Sequence, residues 1–226
     1  MSLALLMSLL IVGCSSAPDP EDSLAQPEES IGADQSTGDQ GSSFCAPATS
    51  TPREAAFVGA PTENIEPGIY TFTLDTNCGE IVIEADAQRA PATVTHIGFL
   101  ANAKFYDATL CHRLTTAGLF VLQCGDPTAS GSGGPGFSFS DENLPEATGI
   151  NYPKGTVAMA NSGPNTNGSQ FFIVYQDTVL GPNYSIWGKV RSGIEIIEKL
   201  GAIGTVDGGP NGAPKYPVEI RTARMS

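Results

Sequence analysis

Arg113 is the side chain with the clearest capacity for chemistry, because it follows one predicted strand and precedes a second, apolar one. It follows Cys111 and His112, and the segment 119–122 after it reads Leu-Phe-Val-Leu and leads into Gln123. A lone arginine is usually a solvated surface charge. Here the flanking segments are predicted to pair as short strands, which would hold the guanidinium beside an apolar wall. A guanidinium held in this way can donate several hydrogen bonds to a bound polar group.

The stretch 156–174, TVAMANSGPNTNGSQFFIV, is a second candidate for a functional surface. It begins and ends with residues typical of strands, and a loop of Asn, Ser, Gly, Pro and Thr lies between them. A polar loop held at both ends by apolar strands exposes backbone amides along which an extended peptide can bind. An ordinary hairpin connection is the alternative that this composition leaves open.

Short strands and two helices are predicted around these segments. The first helix begins at Pro91 and runs to about Ala103, and the second begins at a capping box formed by Ser192 and Glu195 and stops at Gly201. Many short strands with two isolated helices favour an all-β barrel whose open ends the helices cover. Strands are predicted at 69–74, 81–83, 111–114, 120–123, 156–160, 171–174, 186–190 and 217–222.

The acidic residues are concentrated before the predicted barrel. The net charge is −13, and the segment 15–66 holds ten of the 24 acidic residues but a single basic one, Arg53. That segment is rich in Pro, Ser, Glu, Asp, Gln and Gly, so it cannot bury enough apolar area to offset the entropy of ordering. We therefore predict a signal peptide at 1–13, a flexible acidic tether at 14–66 and a folded domain at 67–226. The charge argues against binding to nucleic acid through phosphates.

The segment 3–12, LALLMSLLIV, is almost wholly apolar. It is too short to cross a bilayer and is typical of the apolar part of a signal peptide, although no Lys or Arg precedes it. The residues that follow, Ile11-Val12-Gly13-Cys14, resemble a bacterial lipobox, in which the cysteine is lipidated. We therefore predict lipidation of Cys14 and a lipid-anchored location on the extracytoplasmic face of the cell membrane. A plain secretory signal is the alternative.

Four further cysteines, Cys45, Cys78, Cys111 and Cys124, are an even number that an exported protein can pair. Cys111 and Cys124 fall on the two strands of one predicted hairpin, which would suit a cross-strand disulfide and leave Cys45 with Cys78. Four cysteines allow three connectivities, and the sequence does not choose between these and four reduced thiols. With no Cys-x-x-Cys and only two histidines, we expect no structural metal site.

The residue order MANSGPNTNGSQFFI at 159–173 resembles the signature of cyclophilins, a class of peptidyl-prolyl cis-trans isomerases. The resemblance covers about 68–222 and implies a closed eight-stranded antiparallel barrel with two capping helices. It places Arg113 at the catalytic arginine of the family, and it implies proline-containing polypeptides as substrates, a monomer, and neither cofactor nor metal. The residues that it places in the substrate site are Phe120, Val121, Gln123, Ala160, Asn161, Gln170, Phe172, Leu180 and Tyr184.

Three features depart from the commonest family pattern. Two residues are inserted between Arg113 and Phe120, so the register across 115–118 stays open. Val179 and Tyr184 stand where the family often has Trp and His, which implies weakened binding of cyclosporin. The segment 131–136 formally matches G-x-G-x-x-G, but it contains a proline that lacks an N–H and no predicted helix follows it. We therefore predict no nucleotide site there.

The function that these residues favour is acceleration of X-Pro isomerisation in exported polypeptides, as an aid to protein folding. A non-catalytic peptide-binding or chaperone module that uses the same groove is one alternative, and a proline-isomerisation assay separates the two. A secreted hydrolase is another. It is disfavoured because no nucleophile-elbow motif occurs and because Cys111 and His112, adjacent on a strand, point to opposite faces.

Overall fold

The computed structural model describes residues 44–55, 57 and 59–226, and this part of the chain contains ten strands and two helices. In chain order they are β1 (Ile69–Thr76), β2 (Gly79–Asp86), α1 (Pro91–Asn102), β3 (Thr109–Cys111), β4 (Arg113–Thr115), β5 (Val121–Cys124), β6 (Thr156–Met159), β7 (Phe171–Val174), β8 (Ile186–Ser192), α2 (Ile194–Ile203), β9 (Asn211–Gly212) and β10 (Val218–Met225). Within these ranges, no helix has the length and apolar character needed to cross a bilayer. The predicted signal peptide, Cys14 and the first part of the predicted tether lie outside them and stay predictions.

The strands form one antiparallel sheet, a half-barrel with the order β3-β10-β1-β2-β8-β6-β7-β5-β4-β9. In β1 and β2, buried and more exposed residues alternate, because successive side chains of a strand point to opposite faces of a sheet. Phe72 and Leu74 of β1 and Ile81 and Ile83 of β2 are buried on the core side. The predicted all-β class and the two predicted helices are confirmed.

The structure does not confirm a closed barrel of eight strands. The strand predicted at 111–114 is divided at His112 into β3 and β4, and β9 adds a two-residue strand, which accounts for the count of ten. The sheet is open, since the edge strands β3 and β9 do not pair with each other in the part of the chain that the structure describes. Across this opening, β3 and β5 are joined by a Cys111–Cys124 disulfide and by a hydrogen bond from His112 N to Gln123 O at 3.1 Å.

Four fully buried aromatic rings form the centre of the core: Phe72, Tyr106, Phe171 and Trp187. They meet edge to face, with ring centroids 5.6–6.2 Å apart. Contacts of this geometry contribute about 0.5–1.5 kcal/mol each beyond the area that they bury. Because the rings come from β1, the segment after α1, β7 and β8, they tie together strands that are distant in sequence.

Helix α1 has the predicted bounds to within one residue, whereas both ends of α2 were predicted wrongly. Ser192 belongs to β8, and the N-cap of α2 is Gly193 at a φ of 89°. Only glycine suits that position, since a Cβ there would lie 2.4 Å from the carbonyl oxygen of Glu80. The helix continues through Gly201, which is needed for packing rather than termination: a Cβ at Gly201 would lie 2.5 Å from the ring of Tyr175.

The segment 44–55, which precedes β1, is attached to the domain. Cys45 forms a disulfide with Cys78 in the turn between β1 and β2. The carboxylate of Glu219 on β10 is 4% exposed and accepts hydrogen bonds from the backbone N–H of Thr49 at 2.8 Å and from the hydroxyl of Ser50. A covalent bond and a buried carboxylate therefore hold this segment against the sheet.

Replacing both Cys45 and Cys78 by alanine is expected to lower the free energy of unfolding by about 3–4 kcal/mol. The disulfide closes a loop with a sequence separation of 33 residues, and removing it restores the freedom of that loop to the unfolded chain. Urea denaturation of the wild type and the double variant measures the difference. A loss below about 1 kcal/mol would contradict the expectation.

Candidate active site

A cavity of about 150 Å³ opens beside strands β4, β5 and β7. This volume is well below the roughly 300–1,000 Å³ of pockets that bury whole ligands, so the cavity suits a single side chain. Its lining combines apolar side chains with one guanidinium and two amides. The lining residues are Arg113, Leu119, Val121, Gln123, Ala160, Asn161, Phe172, Leu180 and Tyr184. Eight of these nine are residues that the sequence placed at the site, and Leu119 is the addition.

The register of the strands brings Arg113, Gln123 and Phe172 into one row. Arg113 lies directly opposite Gln123 in the β4–β5 ladder, and Gln123 lies opposite Phe172 in the β5–β7 ladder. Residues directly opposite in an antiparallel sheet share a face, with Cβ atoms about 4.5–5.5 Å apart. Three neighbouring strands thus deliver a cation, an amide and an aromatic ring to one surface.

The guanidinium of Arg113 is oriented by two amide side chains. Its Nη1 donates to Gln123 Oε1 at 3.1 Å, and its Nε donates to Asn211 Oδ1 of β9 at 2.9 Å. Gln123 Nε2 in turn donates to Gln170 Oε1 at 2.9 Å. Among the described residues, Nη2 has no hydrogen-bond partner, so the oriented guanidinium keeps donors for a ligand in the cavity.

Phe172 forms the apolar floor of the cavity and is 5% exposed. Its ring meets that of Tyr184 edge to face at 5.5 Å and lies 6.1 Å from the fully buried ring of Tyr152. Val121 and Ala158 pack in the same small cluster, which is separate from the main core. The floor is therefore supported from below and cannot collapse easily into the cavity.

The loop that carries Leu180 and Tyr184 is held in place by Asn151 and Tyr152. Asn151 Nδ2 donates to the carbonyl oxygen of Leu180 at 2.6 Å, and Asn151 Oδ1 accepts from the N–H of Leu180 at 3.0 Å. The hydroxyl of Tyr152 accepts from the N–H of Tyr184 at 3.1 Å and donates to its carbonyl oxygen at 3.2 Å. Burial raises the pKa of Tyr152 to about 12, so this hydroxyl stays protonated.

A larger cleft of about 520 Å³ adjoins the cavity and shares Gln123, Ala160 and Asn161 with it. Gln170 lies in this cleft rather than in the cavity, and its Nε2 donates to the carbonyl oxygens of Gly131 and Gly133 at 3.0 and 2.9 Å. A peptide chain with one side chain in the cavity can therefore continue along the cleft.

The glycine-rich loop that lines this cleft is organised by Asp126, which is fully buried. Its carboxylate accepts hydrogen bonds from the backbone N–H groups of Thr128, Gly131 and Gly133 at 2.8, 2.7 and 3.1 Å. These three N–H groups are therefore engaged within the protein, and the absence of a nucleotide site at this G-x-G-x-x-G sequence stays a prediction.

The polar loop between β6 and β7 is held to its surroundings by side-chain hydrogen bonds. Asn161 Nδ2 donates to the carbonyl oxygen of Asn183 at 2.8 Å. Asn167, fully buried, donates through Nδ2 to Asp141 Oδ1 at 2.8 Å, and Asp141 also accepts from the N–H of Asn165. The side of the loop that carries Asn161 faces both the cavity and the cleft. The two strands that the sequence predicted on either side of this loop are confirmed as β6 and β7.

Comparison with known proteins identifies the family. A family model described as "Cyclophilin type peptidyl-prolyl cis-trans isomerase/CLD" matches residues 71–225. The chain belongs to the cyclophilin family. The resemblance that its sequence carries is thereby confirmed for residues 71–225.

Relatives of this cyclophilin include two mycobacterial proteins named "Probable peptidyl-prolyl cis-trans isomerase B", from Mycobacterium leprae and Mycobacterium tuberculosis. Each is 40% identical over 171 residues, which are 71% of this chain. The match covers 58% and 56% of the two relatives, so the chain spans little more than half of their length.

A solved structure of similar fold is the crystal structure of a cyclophilin-type peptidyl-prolyl cis-trans isomerase from Cryptosporidium parvum. It is 29% identical, with a TM-score of 0.61, and the match covers 70% of this chain and 98% of that one. A second crystal structure of the Cryptosporidium protein, in the presence of the dipeptide Ala-Pro, gives a TM-score of 0.59.

Phe120 is the predicted site residue that the structure brings neither to the cavity nor to the adjoining cleft of this cyclophilin. Leu119 and Val121 line the cavity, whereas the ring of Phe120 meets Tyr175 at 5.9 Å and lines a different surface cavity. The reason is strand alternation: Leu119, Val121 and Gln123 are two residues apart and share a face, and Phe120 points the other way. The assignment of both Phe120 and Val121 to one wall ignored this alternation.

Sequence reasoning missed four residues that build the site: Leu119, Asp126, Tyr152 and Asn211. Alternation back from Gln123 was the signal that could have found Leu119. The signal for Asp126 was its place directly before the glycine-rich loop, because the backbone N–H groups of such a loop need an acceptor when they are buried. Asn211 lies 98 residues from Arg113 in sequence, and Tyr152 stands in a segment without a clear pattern, so no local signal pointed to either.

We expect the free energy of unfolding of this cyclophilin to fall as the pH drops from about 7 to about 5. Burial lowers the pKa of both His96 and His112 below the ordinary 6.5. The unfolded chain then binds protons at a higher pH than the folded chain, so stability is complete above pH 6.5 and is lost as the pH falls through the lowered values.

Urea denaturation at a series of pH values measures this slope, and a variant with His96→Gln and His112→Gln should show a flatter profile. The carboxylates of Asp126 and Glu219 do not contribute to this slope of stability with pH. Burial raises their pKa values, but hydrogen bonds outweigh it and hold them below 3.8 and 4.5, so both act at lower pH. A wild-type stability that is constant over this pH range would contradict the prediction.

Proposed function

We propose that this chain is a peptidyl-prolyl cis-trans isomerase that accelerates X-Pro isomerisation in exported polypeptides. The observation that carries the proposal is an oriented guanidinium, that of Arg113, at the wall of a small apolar cavity floored by Phe172. The family match and the names of the relatives support it.

The chemistry requires no nucleophile, metal or cofactor. An X-Pro bond isomerises slowly because its C–N bond has partial double-bond character, with a barrier of roughly 18–20 kcal/mol. In the transition state the amide is twisted, its resonance is lost and its nitrogen becomes pyramidal and basic. A catalyst therefore needs a site for the proline ring, contacts that hold the flanking chain, and a donor that favours the twisted form over both planar forms.

The cavity supplies the first and third of these parts. Val121, Phe172 and Leu180 enclose a space suited to the proline ring, with Tyr184 at its edge. Arg113 donates to the substrate at the proline nitrogen and carbonyl group through Nη2, which has no hydrogen-bond partner among the described residues. Because Gln123 and Asn211 orient the guanidinium before substrate binds, little reorganisation is needed as the amide twists.

The flanking peptide is held along the adjoining cleft. The backbone of Asn161 and the side chain of Gln123 face both the cavity and the cleft, so they contact the chain where it leaves the proline. Ala160 lines both spaces as well, and Gln170 shapes the cleft through its bonds to the glycine-rich loop. Extended peptide bound in this way is the usual mode for a groove with exposed backbone amides.

An exchange-NMR assay on a short Xaa-Pro peptide tests the proposal. Catalytic amounts of protein should accelerate cis-trans exchange well above the spontaneous rate, and should also accelerate the proline-limited refolding of an unfolded protein. A non-catalytic peptide-binding module is the alternative. It would shift the resonances of the peptide by binding while leaving the exchange rate unchanged, and that result would overturn the proposal.

We also propose that the protein is exported and anchored to the membrane by a lipid on Cys14. Two disulfides support export, because disulfides persist in oxidising compartments outside the cytoplasm. The lipobox-like sequence before Cys14 supports the anchor. Fractionation of cells tests it: the wild type should sediment with membranes and Cys14→Ser should not. A wild type that stays in the soluble fraction would contradict the anchor.

The expected monomer is tested separately, by analytical ultracentrifugation of the protein.

A further inference from the structure

The Cys111–Cys124 disulfide lies next to the two side chains that the proposed function uses most. Cys111 ends β3 and Arg113 begins β4, whereas Cys124 ends β5 and directly follows Gln123. One end of the disulfide, Cys111, is therefore two residues from Arg113. The other end, Cys124, is one residue from Gln123, the hydrogen-bond partner of the guanidinium. This placement separates it from the Cys45–Cys78 disulfide, which joins the segment before β1 to the β1–β2 turn.

The noncovalent attachment of β4 to β5 is short. Two residue pairs form this ladder, Arg113 with Gln123 and Leu114 with Leu122, whereas β1 and β2 are joined by eight pairs. On its other side β4 pairs with β9, which has only two residues. Strand pairs of this length are marginal without further support.

The far end of β4 has further support, because Thr115 accepts hydrogen bonds from the Tyr175 hydroxyl at 2.6 Å and from the N–H of Val121 at 3.1 Å. The end that carries Arg113 is therefore the part of the strand that depends on another constraint.

The side chain of His112, between Cys111 and Arg113, does not hold this junction through hydrogen bonds. Both of its ring nitrogens are buried without a hydrogen-bond partner among the described residues. Its backbone N–H donates to the carbonyl oxygen of Gln123 at 3.1 Å. One backbone hydrogen bond and the disulfide are therefore what hold the junction between β3 and β4 to β5.

The disulfide also spans the opening of the sheet. β3 is an edge strand that pairs with β10, whereas β5 lies near the other end of the strand order, between β7 and β4. Without the covalent bond, β3 is held beside β5 by its one-residue connection to β4 and by the hydrogen bond of the His112 N–H, which leaves more freedom for this edge to shift. Arg113, the first residue after the junction, would move with it and lose its register with Gln123.

We propose that the Cys111–Cys124 disulfide is a positioning crosslink, which keeps Arg113 in register with Gln123 and so keeps the guanidinium at the wall of the proline cavity. The inference rests on the proposed function. Misplacement of a catalytic group by about 1 Å can cost on the order of 100-fold in rate. Loss of the crosslink should therefore reduce the rate of isomerisation far more than it reduces the binding of peptide.

The experiment compares Cys111→Ala/Cys124→Ala with Cys45→Ala/Cys78→Ala, both in the full chain, as matched double variants. The two disulfides close loops of similar entropic weight, with sequence separations of 13 and 33, so both variants lose comparable stability. Exchange NMR on an Xaa-Pro peptide gives the isomerisation rate on the protein and the peptide Kd, at a temperature where melting curves show both variants folded.

We expect Cys111→Ala/Cys124→Ala to lose about tenfold or more in rate with a peptide Kd within about threefold of the wild type, whereas the control variant keeps its rate within about twofold. Equal rates in the two variants would overturn the proposal, and so would a rate and a Kd that worsen by the same factor. Should the alanine variant not fold, Cys111→Val/Cys124→Ala, which restores apolar volume, is measured with the same criteria.

Arg113→Ala is measured beside them to separate the two claims. If Arg113→Ala loses activity while Cys111→Ala/Cys124→Ala retains it, the crosslink proposal is wrong and the proposed function stands. If Arg113→Ala retains its activity, the catalytic role of the guanidinium fails, and the positioning role of the disulfide fails with it.

Discussion

Arg113→Ala is expected to lower kcat/KM for an Xaa-Pro peptide by about 100- to 1,000-fold, the effect of removing one oriented donor from a catalytic site. The loss should lie in the rate, because the guanidinium favours the twisted amide over both planar forms. Arg113 is only half-buried, so the variant should fold. A protease-coupled peptide assay measures the activity, and circular dichroism verifies the fold.

Two further variants make this result specific. Arg113→Lys should also be poor, because a point charge cannot reproduce the planar fork that binds Gln123 and Asn211. Arg191→Ala is the matched control, since Arg191 forms an exposed ion pair with Glu84 and does not line the cavity. Activity in Arg113→Ala within about threefold of Arg191→Ala would remove Arg113 from the catalytic role.

Phe172→Ala is expected to lower kcat/KM by about 10- to 100-fold, chiefly through weaker binding of proline peptides. Its ring is the floor of the cavity, and burying an apolar group such as the proline ring against such a surface contributes about 1.5–3 kcal/mol. The variant also loses stability, because the ring packs on Tyr152 and Tyr184, so the assay must be run where melting curves show it folded.

Phe120→Ala is the control for this prediction. The same chemical change is made on the same sheet, but Phe120 faces Tyr175 on the other side of β5. Stability should fall while the peptide Kd stays within about twofold. If Phe120→Ala weakens peptide binding as much as Phe172→Ala does, the assignment of Leu119 rather than Phe120 to the cavity is wrong.

The elements that carry the site could be predicted from the sequence because local patterns define them. The polar loop between two apolar segments marked β6 and β7, and the Arg113–Gln123 segment marked the hairpin of β4 and β5. The residues that share the row across the sheet follow from the two-residue period of strands. Applied strictly, that period would also have excluded Phe120 from the cavity.

The parts that could not be predicted depend on contacts between distant residues. Asn211 orients Arg113 across 98 positions, and nothing near Asn211 indicates a partner. The N-cap of α2 at Gly193 depends on the backbone of Glu80, which approaches too closely for a side chain. The division of one predicted strand at His112 reflects the opening of the sheet between β3 and β9, which is a property of the whole fold.

The central claim is that the cavity binds the proline ring while Arg113 favours the twisted amide, so that binding and catalysis can be separated. Exchange NMR on one Xaa-Pro peptide, with wild type and Arg113→Ala, reports the peptide Kd and the isomerisation rate on the protein in a single measurement. The account predicts a Kd within about threefold and a rate lower by about 100-fold or more. An unchanged rate, or a rate that falls only as far as the affinity does, would contradict it.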